Sequence, residues 1–170
     1  SLNHRGVPLS ALDIIKNSLI AQAETASNAE NAYTQWKQIL NAVGQDDYAV
    51  QERFFRQFYN AFREELNAPY ASADKKYYLG YLATRTTLID IYEKMIKSDY
   101  RGLLDNLLAK AEKYSIIVNR TDETYEYTDS LQNLARISGA PSYLLLMYLL
   151  SNQEKLQLSD SHIKTIIDTL

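Results

Sequence analysis

Apolar positions recur along the chain at spacings of three and four, the period of helices that bury one face. Ala32, Tyr33, Trp36, Ile39, Leu40 and Val43 form one such stripe, after a break at residues 25–28 and with Gly44 at the place of a C-cap. Asp46 or Asp47 opens the next helix, whose Phe54, Phe55, Phe58, Tyr59, Phe62 and Leu66 predict an aromatic core face ending near Leu66. Residues 67–73, with Pro69 among them, read as a loop. The aromatics of 74–82 permit a strand, but the helical surroundings favour a short helix. Thr87 and Asp90 have capping-box spacing ahead of Leu88, Ile89, Tyr92, Met95 and Ile96, a face that ends near Ser98. Asp99 then caps the clearest stripe, Leu103, Leu104, Leu107, Leu108, Ala111 and Tyr114, running through Val118. Thr121, with Asp122 and Glu123 in its first turn, predicts a helix carrying Leu131, Leu134 and Ile137 and closed by Gly139. Pro141 suits a first helical turn. Tyr143 to Leu150 is apolar all round, as befits a helix enclosed by others, and Ser159 caps a last helix with Ile163, Ile166 and Ile167 that runs to Leu170. The expected fold is all-α: an irregular multi-helix bundle with a central apolar helix near Pro141–Leu150.

The first seventeen residues have a different character, a polar glycine loop running into a helix. Ser10 and Asp13 have capping-box spacing, so the helix starts near Ala11, and Leu9 and Ile14 are placed to form a hydrophobic staple. Pro8 holds Val7 extended. Gly6 allows a left-handed turn or a close backbone approach to a ligand. Asn3, Arg5 and Ser10 place an amide, a guanidinium and a hydroxyl around that turn, a set able to hold a phosphate. A Gly-x-Pro ahead of a capped helix is equally a well-made turn and nothing more.

The whole run, Asn3-x-Arg5-Gly6-x-Pro8-Leu9-Ser10 followed by Leu12-x-Ile14-Ile15-Lys16-Asn17, resembles the second signature of the GmrS half of GmrSD-type restriction endonucleases. These are bacterial proteins with a ParB-like N-terminal part followed by a helical part. Their signature reads Phe-x-x-x-Asn-x-x-Gly-x-x-Leu-Ser and continues into a helix ending in Lys-Asn. Asn3, Gly6, Leu9, Ser10, Lys16 and Asn17 match it, while the aromatic would lie upstream of Ser1 and the family's Asp-Gly-Gln-Gln-Arg signature is absent from the sequence. The resemblance implies a single helical domain, residues 1–170, within a longer chain. It implies a parent protein that restricts foreign, often modified, DNA in a nucleoside-triphosphate-dependent way, as phage defence. The partners it implies are an N-terminal ParB-like domain, a C-terminal nuclease domain and DNA. On this reading Asn3 and Gly6 shape the edge of a nucleotide or phosphate site near Ser10 and Asn17. Arg5 and Lys16 are phosphate contacts by charge alone.

Composition sets bounds on other functions. The 170 residues are 46% hydrophobic and 23% charged, ordinary for one globular domain, and a net charge of −3 is not the footprint of a general nucleic-acid binder. With no cysteine there is no disulfide framework, thiolate zinc site or thiol nucleophile, which fits a cytoplasmic protein. The longest apolar run is far shorter than the roughly 20 residues that span a bilayer, so no membrane partner is expected. His4 and His162 stand apart from any acidic cluster at ligand spacing, which gives no metal site. Asp122, Glu123, Glu126 and Asp129 crowd one helix, but acidic residues belong in first helical turns and no histidine or glycine loop accompanies them. Arg53, Arg56 and Arg63, with Asn60, lie opposite the aromatic stripe and offer a DNA contact. Glu52, Glu64 and Glu65 blunt their field, which favours a solvated face. The chain itself is expected to be non-catalytic. The rival reading is a non-catalytic helical protein-interaction module, including a homo-oligomer, that packs aromatic surfaces on a partner.

Overall fold

The computed structural model describes residues 6–71, 81–137 and 139–170. Among them are seven α-helices and no strand: α1 Ala11–Ala21, α2 Ala26–Gly44, α3 Tyr48–Ala71, α4 Leu88–Asn119, α5 Thr128–Arg136, α6 Tyr143–Ser151 and α7 Asp160–Asp168. A short 3₁₀ turn, Ala140–Ser142, carries Pro141 into α6. All seven helices contribute buried apolar side chains to one core cluster. Helix α4 packs against α1, α2, α3 and α6, α6 packs against both α3 and α4, and α5 pairs with α7. No helix among the described residues is long and apolar enough to cross a membrane.

The aromatic stripe of α3 is the centre of this packing. Phe54, Phe55, Phe58 and Tyr59 are wholly buried. Because Phe54 and Phe55 are adjacent, they leave the helix about 100° apart and reach different neighbours. Phe55 meets Trp36 of α2 at 5.1 Å between ring centroids and Tyr92 of α4 at 5.4 Å. Phe54 meets Tyr114, further along α4, at 5.2 Å, while Phe62 meets Tyr148 of α6 at 5.6 Å. The Tyr92 hydroxyl donates to the Phe55 carbonyl at 2.7 Å, so its polar end is satisfied inside the core.

Several boundaries follow the sequence closely. Thr25 caps α2 and Asp47 caps α3, each accepting from the backbone N–H three residues on. Helix α2 thus begins inside the stretch 25–28 read as a break. Gln51, buried in the first turn of α3, donates to the carbonyls of Gly44 and Gln45 and so closes the end of α2. Asp99 breaks α4 as expected: its backbone is extended (φ −158°, ψ 82°), and its carboxylate accepts from the Gly102 N–H at 2.9 Å. The break lets one long helix follow both flanks of α3.

Other expectations are corrected. Helix α3 continues through 67–71, which had been read as loop, because Pro69 falls in the last turn and the carbonyl it leaves unbonded belongs to exposed Glu65. The Asn67 side chain donates to the Arg63 carbonyl there. Residues 74–80 lie outside the described residues, and Tyr81 and Leu82 are not helical. Thr87 precedes α4 but forms no capping box. Its hydroxyl donates to the Leu82 carbonyl and accepts from the Thr84 N–H, while Asp90 takes Tyr81 and Lys94 instead. Helix α5 begins seven residues after Thr121, because the Asp122 carboxylate takes the Thr124 N–H and hydroxyl and the Thr128 hydroxyl takes the Asp122 carbonyl, winding the intervening segment into turns. At its other end α5 stops at Arg136, which leaves Ile137 past the helix end and 70% exposed. Gly139 donates back to the Leu134 carbonyl, and a Cβ there would fall 2.4 Å from the Leu134 side chain, so close approach requires the glycine. Helix α6 buries Tyr143, Leu146, Met147 and Leu150 but leaves Leu145 exposed, and α7 stops at Asp168 rather than Leu170.

If Phe55 joins α2, α3 and α4 in this way, Phe55→Ala removes one ring from three aromatic contacts, with Trp36, Phe54 and Tyr92, and opens a cavity. Urea denaturation of that variant should show a loss of about 3–5 kcal/mol.

Candidate functional site

The start of α1 is built as the Ser10–Asp13 spacing requires. The Ser10 hydroxyl accepts from the Asp13 N–H at 3.1 Å and donates to the Asp13 carboxylate at 2.8 Å, and the Ser10 N–H donates to the same carboxylate at 3.3 Å. Lys16 donates to the other carboxylate oxygen at 3.0 Å. The hydrogen bond from Ser10, then that from Lys16, holds the Asp13 carboxyl below the usual aspartate range. Loop residues 6–9 are exposed, with Val7 at 92% and Leu9 at 62%, so the expected staple leaves most of Leu9 in solvent. A Cβ on Gly6 would meet nothing within 4 Å, which leaves the backbone there open to approach. Asn17 is exposed. Asn3, Arg5 and His4 lie outside the described residues.

This geometry divides the loop chemically. Asp13 already answers the positive end of the α1 dipole, and Lys16 is tied to Asp13, so a phosphate at the helix terminus would meet a carboxylate.

The arginines of α3 are not the solvated face expected. Each is half-buried and engaged. Arg53 lies 5.5 Å from the Tyr143 ring centroid and donates to the Tyr114 hydroxyl, Arg56 pairs with Glu52 at 2.7 Å, and Arg63 pairs with Glu64 at 3.5 Å. Asn60 binds the Ala83 backbone through both its amide groups, at 3.1 and 2.8 Å. Glu52 is itself buried, and exposed Arg85 stands 3.8 Å away as a second cation. The physical reason is that the polar side of α3 packs too, against the segment before α4 and the turn before α6. There Gln57 donates to the Ala140 carbonyl and accepts from Tyr114.

Elsewhere, Glu123, Glu126 and Asp129 line an open hollow of about 580 Å³ with Tyr125 and Gln132. No group of three or more potential metal ligands occurs among the described residues. His162 closes the capping box of α7, its Nδ1 accepting from the Ser159 N–H.

Sequence reasoning missed a groove of about 280 Å³ between α2 and the part of α4 beyond Asp99. Asn28, Asn31 and Gln35 line one wall, Tyr100, Arg101 and Asp105 the other, and buried Ala32 and Leu104 the floor. The signal was the amide spacing of three and four on the polar side of α2, a periodicity read only for its apolar members. No protein-family model, curated protein sequence or solved structure matches the chain.

Ser10→Ala removes the hydroxyl that caps α1 and should lower stability by about 1 kcal/mol. Because Asp13 titrates lower in the folded chain, its contribution is present above the ordinary value of 3.8 and is lost as pH falls through the lower folded value. In an NMR titration of the variant, the Asp13 midpoint should move up towards that ordinary value. An unmoved midpoint would mean that Ser10 does not set it.

Proposed function

We propose that this chain is the helical part of a GmrS-like, nucleotide-dependent DNA-restriction protein, contributing one edge of a nucleotide or phosphate site and no catalytic group of its own. The observation that carries the reading is the exposed Gly6–Leu9 backbone mounted on the Ser10–Asp13 capping box, in the register of the family's second signature. A capping box fixes where a loop enters its helix, and a rigid entry is what a backbone cradle for phosphate oxygens needs. On this reading Asn3 and Arg5 bring an amide and a guanidinium to that edge, and Lys16, paired with Asp13, a cation near Asn17. The rest of the site, the catalytic residues and the principal DNA contacts belong to the ParB-like and nuclease parts of the parent protein. A DNA contact through Arg53, Arg56 and Arg63 would require each to leave a partner it already has, which makes it the weaker route to DNA.

The exposure of Val7 and Leu9 favours a second reading, in which the loop is an apolar contact of a helical interaction module. In the parent protein with its ParB-like domain, Asn3→Ala should lower nucleotide hydrolysis by about tenfold or more, the scale of one lost charge-assisted contact, with circular dichroism unchanged. Unchanged turnover would overturn the site assignment. If light scattering then showed an assembly dispersed by Leu9→Asp, the interaction module would take its place.

A further inference from the structure

Lys110 stands apart from the other described lysines. Lys16, Lys94 and Lys164 each hold a carboxylate at 3.0 Å or closer, whereas Lys110 pairs with none among the described residues. The remaining unpaired ones, Lys37, Lys97, Lys113 and Lys155, are exposed, while Lys110 is half-buried. Its Nζ lies 4.8 Å from the ring centroid of Phe62, a buried side chain that also meets Phe58 and Tyr148. An ammonium in that place gives up part of its water for an aromatic face, so burial favours the neutral amine and lowers its basicity, opposed only by the charge of Glu65. A lysine desolvated against apolar groups in this way is the form of the side chain that acts as a nucleophile.

We propose that Lys110, beside the hollow at the Asp99 break, is an acyl-acceptor site that takes a short uncharged acyl group from an acyl phosphate or acyl thioester. The amine nitrogen attacks the donor carbonyl carbon and a C–N bond forms. The C–O bond to phosphate or the C–S bond breaks, phosphate or thiolate leaves with the bonding pair, and the amine proton passes to solvent. Phe62 on α3 and Lys110 on α4 each lie one helical turn from a residue, Leu66 and Asn106, that lines this hollow of about 250 Å³. Leu66, Met95 and Leu103 make part of its wall apolar, which gives an acyl chain carried on Lys110 a place to lie. Glu65 and Asp99 stand in the same wall and repel an acyl group that ends in a carboxylate of its own. Acylation removes the half-buried charge and leaves a neutral amide against Phe62. None of these residues belongs to the proposed nucleotide site.

The test incubates the whole chain, near neutral pH, with butyryl phosphate in one arm and the butyryl thioester of N-acetylcysteamine in the other. Peptide mass spectrometry then follows the labelling rate of each lysine. Lys110 should lead exposed Lys97 and Lys155 by about threefold or more in at least one arm, and that arm identifies the donor class. The lead should shrink with the glutaryl thioester, whose free carboxylate meets Glu65 and Asp99. Glu65→Gln, at an exposed position, removes the charge that opposes the neutral amine, so it should raise the Lys110 rate by about threefold with Lys97 unchanged. Lys110 labelled no faster than Lys97 and Lys155 in both arms, an undiminished lead with the glutaryl donor, or no gain in Glu65→Gln would overturn the proposal.

Discussion

The burial of α3 on more than one side is the constraint that the rest of the molecule answers to. A helix with Phe54 and Phe55 at adjacent positions cannot bury both against a single straight neighbour, since their side chains diverge by about 100°. Trp36 and Tyr92 cover one ring, Tyr114 covers the other, and Phe62 finds Tyr148 on α6. Tyr92 and Tyr114 both belong to α4, so that helix has to pass both flanks. The Asp99 break, capped through the Gly102 N–H, is how it does so.

Burial of α3 also sets its polar chemistry. Gln51, Glu52, Gln57 and Asn67 are buried polar residues on this one helix, and each has a partner: carbonyls at the end of α2, Arg56, the Ala140 carbonyl with Tyr114, and the Tyr59 hydroxyl. Buried polar groups left unmatched would cost more than the matched ones contribute. These bonds therefore select which segments may lie beside α3, and they tie the segment before α4 and the turn before α6 to it. Lys110 follows the same logic, its half-buried ammonium lying 4.8 Å from the Phe62 ring centroid and losing basicity through burial.

The fold class, the aromatic core face, the cap at Ser10 and the break at Asp99 were legible because each is written in neighbouring residues three or four apart. The failures have a common physical cause. At Thr87 and Thr121 the spacing suited a helix cap, but the hydroxyl of Thr87 went to the Leu82 carbonyl and the Asp122 carboxylate to Thr124, local choices that spacing cannot rank. At Arg53 the polar pattern read as a solvated surface because its partner Tyr114, 61 residues away, is invisible to a helical period, as is Ala140, 83 residues from Gln57; the Glu52 and Glu64 partners of Arg56 and Arg63 are near neighbours in the sequence. The cap that starts α1 was legible in local spacing, whereas the proposed role of the loop before it rests on the resemblance of a short run of residues. The α2–α4 groove was not legible, since its walls come from segments far apart in sequence.

The nucleotide reading makes a geometric claim: the Gly6–Leu9 backbone, held by the Ser10–Asp13 cap, faces phosphate. The most direct measurement is a structure of the parent protein, ParB-like domain included, with a non-hydrolysable nucleoside triphosphate. The account predicts phosphate oxygens within hydrogen-bonding distance of the 6–9 backbone, with Lys16 turned from Asp13 towards them. A nucleotide bound elsewhere, with this loop facing solvent or packed on another domain and Lys16 still on Asp13, would contradict it.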